Sequence, residues 1–85
     1  MRTVTIYSTQ WCPYCTSAKR FLTSKGVAWE EIDLTDDDDG RAALVERSGR
    51  RTVPQIYVGD DHIGGYDDLR ALDGKGGLMP LLQER

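Results

Sequence analysis

The chain holds two cysteines, Cys12 and Cys15, with two residues between them. A bridge closing so short a loop removes little entropy from the unfolded chain, so the pair would be a poor structural staple. Thiols at this spacing fit redox exchange or half of a metal site. Zinc wants four ligands, and His62 is the only histidine, so a closed site would need carboxylates or a second chain; no metal is expected. His62 itself reads as a hairpin surface residue. For redox exchange the local sequence is well suited. Pro13 belongs in the first turn of a helix, where a missing N–H costs nothing, which places Cys12 at the helix N-terminus and Cys15 one turn inside. Unsatisfied backbone N–H groups and the positive end of the helix macrodipole favour an anion at Cys12, the expected nucleophile. Cys15, turned toward the body of the helix, is expected to be more covered and to attack a mixed disulfide formed at Cys12.

The elements that must position this pair follow from periodicity. Thr3-Val4-Thr5-Ile6-Tyr7 alternates with period two and reads as a strand, and Ser8-Thr9-Gln10-Trp11 is a short loop after it. Cys15, Ala18, Phe21 and Leu22 fall at helical spacing, and Lys25 with Gly26 closes that helix. Val27 to Leu34 reads as a second strand, with Ile32 and Leu34 facing one way and Glu31 and Asp33 the other. The acidic run Asp36-Asp37-Asp38-Asp39 complements the positive end of a helix that stops near Ser48-Gly49. Asp37, Asp39, Gly40 and Glu46 also match some positions of a calcium loop, but Thr35 stands where the leading aspartate belongs, and the helix N-terminus is the better reading. Pro54 to Val58 gives a third strand, Gly59-Asp60-Asp61 a turn, and His62-Ile63 a brief fourth strand. Asp67-Asp68 opens a helix ending by Gly74, and Leu78, Leu81 and Leu82 form a last helical face with Pro80 in its first turn. The order β-α-β-α-β-β-α-α predicts an α/β fold: a mixed four-stranded sheet flanked by helices, with a right-handed parallel crossover first and a hairpin later.

Length and charge narrow the function classes. Eighty-five residues suit one small domain, residues 1–85. Eleven Lys and Arg against 14 Asp and Glu give a net charge of −3, so nothing neutralises a run of phosphates and nucleic acid is not an expected partner. No apolar stretch approaches the ~20 residues of a membrane span, and no export signal is visible, so the chain is expected in the cytoplasm, away from membranes.

Three motifs occur in order: Cys12-Pro13-Tyr14-Cys15 after the first strand, Thr52-Val53-Pro54 before the third, and Gly64-Gly65-Tyr66-Asp67-Asp68-Leu69 opening a helix. Together they resemble the dithiol glutaredoxin family in its small bacterial type, and the resemblance covers essentially the whole chain. It implies a thioredoxin fold, a cis peptide bond before Pro54 and glutathione as reductant. It also implies that Tyr14, Arg51, Thr52, Val53, Pro54, Gly65, Asp67 and Asp68 bind glutathione. Physical reasons support these roles. A cis bond presents the backbone of Val53 to an incoming extended peptide, much as an added strand would be presented. Gly64 and Gly65 let the chain pass close to a ligand, and the N–H groups at the following helix start suit the γ-glutamyl carboxylate. Asp67 and Asp68 would face its ammonium, with helix capping as the other use for either. Tyr14 offers an apolar ring beside a mixed disulfide, and otherwise reads as an exposed loop aromatic. Thr9 stands where many members carry a lysine, which leaves Arg51 to supply the cation. Tyr66 occupies a position that is often small or a cysteine.

The expected activity is a glutathione-dependent thiol-disulfide oxidoreductase that reduces protein disulfides and protein–glutathione mixed disulfides. Its partners would be glutathione and such proteins, ribonucleotide reductase among them, and it would act as a monomer. A redoxin reduced by a flavoprotein reductase is the alternative, disfavoured by Asp67-Asp68 and Thr52-Val53-Pro54. A dimer holding an iron–sulfur cluster through Cys12 and two glutathiones is the other, disfavoured by Cys15 and Pro13.

Overall fold

The computed structural model of the chain describes residues 1–84. Its elements follow the expected order: β1 (Val4–Ser8), α1 (Pro13–Ser24), β2 (Glu30–Asp33), α2 (Asp38–Ser48), β3 (Gln55–Val58), β4 (Asp61–Gly64), α3 (Tyr66–Gly74) and α4 (Leu78–Gln83). The sheet runs β2-β1-β3-β4. β1 pairs parallel with β2 and antiparallel with β3, and β3 and β4 form the hairpin.

Period-two alternation assigns each face of the sheet its helices. Val4 and Ile6 of β1 and Ile56 and Val58 of β3 pack against Ala18 and Leu22 of α1, Leu69 of α3, and Leu78 and Leu82 of α4. On the other face, Tyr7 and Tyr57 pack with Leu34 and with Leu44 of α2. Helix ends are set by local chemistry. The Asp37 carboxylate caps α2 by accepting the Gly40 N–H at 2.9 Å, and Gly49, at φ 74°, closes it by donating to the Val45 carbonyl.

The second strand departs from expectation. It is shorter than Val27 to Leu34, and its residues are exposed. Val27 reaches the core from the preceding loop instead. Ile32 pairs with Tyr7 and so shares the α2 face, yet it is 41% exposed, because β2 is an edge strand and α2 covers Leu34 and Tyr57 further in. No helix among the described residues is long and apolar enough to cross a membrane.

Candidate active site

Cys12 is the N-cap of α1, with extended backbone angles (φ −108°, ψ 101°). Its sulfur takes the capping role of a serine oxygen, accepting the Cys15 N–H at 3.1 Å. Its thiol points at the Val53 carbonyl, 3.7 Å away. Cys15, on the buried face of α1, is 1% exposed. Burial first, and then a hydrogen bond to Cys12, push its thiol up to about 12; the Thr9 backbone and the Lys19 charge oppose the rise. Both thiols are free, and the geometry supplies the expected asymmetry between an accessible sulfur at a helix terminus and a covered one behind it.

The peptide bond between Val53 and Pro54 is cis. The β1–β3 ladder begins at the Tyr7–Gln55 pair, so the main chain of Thr52 and Val53 lies beyond the sheet. Here it borders a groove of about 320 Å³ that also meets Tyr14, Pro54, Gly65, Asp67 and Asp68. Sequence-predicted residues from three separate segments thus converge beside Cys12. Asp68 accepts the Gly65 N–H at 2.9 Å, capping α3, and pairs with Arg50 at 2.8 Å. The Arg50 guanidinium, and after it the Gly65 N–H, hold its carboxyl below the usual range. Asp67 is exposed and makes no ion pair among the described residues. Tyr66 leans on Tyr14, ring centroids 6.3 Å apart, and its hydroxyl accepts from Arg70, so the larger ring at this position forms a wall of the groove.

Arg51 sits elsewhere. It borders a smaller cavity of about 100 Å³ with Thr9, Arg41 and Val53, while its neighbour Arg50 lines both that cavity and the groove. Nothing in residue type separates two adjacent arginines, and only the direction each takes from an extended segment does so.

A second groove, about 350 Å³, is bordered by Cys12 itself with Thr9, Gln10, Trp11, Thr16, Lys19 and Glu31. Trp11, at φ 60°, is 94% exposed at its rim. Lys19 pairs with Glu31 at 2.8 Å, and Ser8 donates to the same carboxylate. Lys19 first, then Ser8, draw that carboxyl down. Neither Lys19 nor Glu31 stood out in the sequence, because a charge on a helix or edge strand usually marks a solvated face. His62 lies exposed on β4, as a hairpin residue should, but its ring nitrogen meets the buried Gln55. The described residues contain no cluster of three or more His, Cys, Asp or Glu arranged to hold a metal ion.

Residues 4–63 match the family model described as glutaredoxin. The chain is 51% identical over 83 residues to glutaredoxin 3 of Escherichia coli, covering 98% of this chain and 100% of that one. It is 49% identical over 82 residues to glutaredoxin of Pseudomonas aeruginosa, covering 96% and 98%. Among solved structures, the buckwheat glutaredoxin–glutathione complex superposes with a TM-score of 0.86 at 34% identity, covering 93% of this chain and 74% of that one. The solution structure of glutaredoxin from Brucella melitensis gives 0.87 at 48% identity, covering 98% and 90%.

Proposed function

Because the chain belongs to the glutaredoxin family of thiol-disulfide oxidoreductases, we propose that it reduces protein disulfides and protein–glutathione mixed disulfides with glutathione as electron donor. The observation that carries this reading is Cys12 Sγ lying 3.7 Å from the carbonyl of Val53, a residue that itself borders the groove lined by Asp67 and Asp68 at the start of α3. A thiol tripeptide with an amino and a carboxylate group at one end fits that layout. Its extended backbone would pair with Val53, its γ-glutamyl carboxylate would meet the α3 N–H groups, and its ammonium would meet the carboxylates. That a buckwheat relative is described in complex with glutathione supports the same reading.

Removing a glutathionyl group needs one thiol. The Cys12 thiolate attacks the glutathionyl sulfur, the substrate protein leaves as its thiol, and Cys12 is left in a mixed disulfide with glutathione. A second glutathione attacks that bound glutathionyl sulfur, leaving as glutathione disulfide and returning Cys12 reduced. A protein disulfide needs both thiols. Cys12 attacks one substrate sulfur, Cys15 then attacks Cys12 Sγ, and the reduced protein departs from a Cys12–Cys15 disulfide, which two glutathiones reduce. Cys15 must shed its proton during that attack. Once Cys12 is bound in a disulfide it no longer carries the charge, nor accepts the thiol hydrogen bond, that help hold the Cys15 proton on.

Disulfide-bearing enzymes such as ribonucleotide reductase make up the substrate class, and the reducing cytoplasm is the matching compartment. The enzyme acts as one domain, without a partner subunit. A coupled turnover assay with glutathione, glutathione reductase and a glutathionylated peptide tests the reading. Saturable turnover that requires Cys12 is expected. Turnover with a flavoprotein reductase but none with glutathione would overturn it.

A further inference from the structure

Gln55 is the first residue of β3, and its side chain is fully buried at 0% exposure, in a strand where Ile56 and Val58 fill the core with apolar groups. An amide in such a place costs free energy unless its polar atoms are bonded. Its bonds lead out of the strand. Nε2 donates to the Thr52 carbonyl at 2.9 Å and reaches Thr52 Oγ1 at 3.2 Å. A carbonyl only accepts, so the amide nitrogen faces Thr52 and Oε1 faces the other way, 2.6 Å from His62 Nε2. That ring nitrogen therefore carries the proton and donates it. Cross-strand stacking on Tyr57, centroids 4.9 Å apart, holds the imidazole.

The sheet does not hold Thr52 and Val53, because the ladder with β1 starts at Gln55. The buried amide does so instead, anchored at its outer end by the only histidine in the chain. One peptide further on, the Val53 carbonyl takes the Cys12 thiol. We propose that Gln55 and His62 are positioning residues that fix the Thr52–Val53 main chain for docking of the glutathionyl group, and so set the preference for glutathionyl over other mixed disulfides. This rests on the glutathione reading above. Neither side chain borders the groove; both act through Thr52. Main-chain docking depends on the backbone lying within a few tenths of an ångström of the right place, a tolerance that sheet bonds give elsewhere and that the amide gives here.

The test measures second-order rates of the reduced enzyme with a glutathionylated peptide and with the same peptide carrying cysteine in place of glutathione. The two share the reacting disulfide and differ only in the γ-glutamyl and glycyl groups. Gln55→Met keeps the volume and removes the amide; it is expected to slow the glutathionyl reaction about tenfold and leave the cysteinyl reaction within about twofold. His62→Phe keeps the ring on Tyr57 and removes the donor, and should give a smaller loss, about threefold, with the same selectivity. Equal losses on both peptides would show a general structural role and overturn the proposal, as would unchanged rates on both. Should Gln55→Met fail to fold by circular dichroism, the surface variant His62→Phe decides by the same criteria. A wild-type enzyme with no preference for the glutathionyl peptide would refute the glutathione reading itself, whereas a preference that both variants retain would refute only the positioning role.

Discussion

Within one turn of α1, exposure and burial divide the work between two chemically identical residues. Burial holds the proton on the Cys15 thiol, pushed up to about 12, while Cys12 stands at the accessible end of the helix. Iodoacetamide at pH 7 should therefore modify Cys12 alone, read by peptide mass spectrometry, and comparable labelling of Cys15 would contradict the burial. Cys15→Ser should keep the removal of glutathionyl groups, which needs only Cys12. It should slow protein-disulfide reduction at least about tenfold, because release by Cys15 is intramolecular and release by free glutathione is not. Equal loss of both activities would assign Cys15 to local structure. The two aspartates also differ. Asp68 already serves Gly65 and Arg50, whereas Asp67 is open to a ligand ammonium. Asp67→Asn should raise the glutathione KM about tenfold, the size of a charge-assisted contact, without changing the urea midpoint. An unchanged KM would leave the ammonium to Asp68.

The turn between β4 and α3 shows how an element boundary builds the groove. Gly64 has φ 120°, and a Cβ there would lie 2.4 Å from Asp68 Oδ2, the oxygen that caps α3 and meets Arg50. Gly64→Ala should cost about 1–3 kcal/mol by urea denaturation and raise the glutathione KM by pushing that carboxylate aside. Wild-type values for both would mean that the turn relaxes freely. The element order, the α1 start at Pro13, the α2 start within the run Asp36-Asp37-Asp38-Asp39 and its end near Ser48-Gly49 were legible in the sequence, because each rests on local chemistry. The contact of Gly64 with Asp68 was not, since the glycines read there as an approach to a ligand. β2 was legible only in part. Val27 is apolar for a packing role that a loop can fill, and the exposure of Ile32 depends on which strand lies at the edge, which is a property of the assembled sheet. The same limit applies to the site. The cysteine pair announces itself by type and spacing, whereas the cis bond before Pro54 was implied by the family resemblance and residue type alone left Pro54 a plain strand start. Arg50 and Gln55 gain their roles from partners 18 and 3 to 7 residues away, and their types alone suggest a solvated surface.

Across the whole molecule, ion pairs tie helices to the sheet and to one another, and two of them make folding sensitive to acid. Glu31 on the edge strand β2 pairs with Lys19 of α1, and Asp68 of α3 pairs with Arg50 of the loop before β3. Both carboxyls titrate lower in the folded protein than they would unfolded, Glu31 through Lys19 and Ser8, Asp68 through Arg50 and Gly65. As pH falls through the unfolded values of about 4, the unfolded chain binds protons that the folded chain refuses. The stabilisation is therefore complete above that range and is lost as pH drops through the depressed folded values. Both carboxylates are partly exposed, so solvent and salt screen the pairs and the effect is modest. Urea midpoints of the wild type and of a Glu31→Gln/Asp68→Asn variant, taken between pH 7 and pH 2.5 at low salt, isolate it. The wild type should be the more stable at pH 7, the gap should close as pH falls below about 4, and 0.5 M NaCl should narrow it at pH 7. A gap that stays constant down to pH 2.5 would mean that the substitutions act through packing, and that these ion pairs do not set the acid limit of the fold.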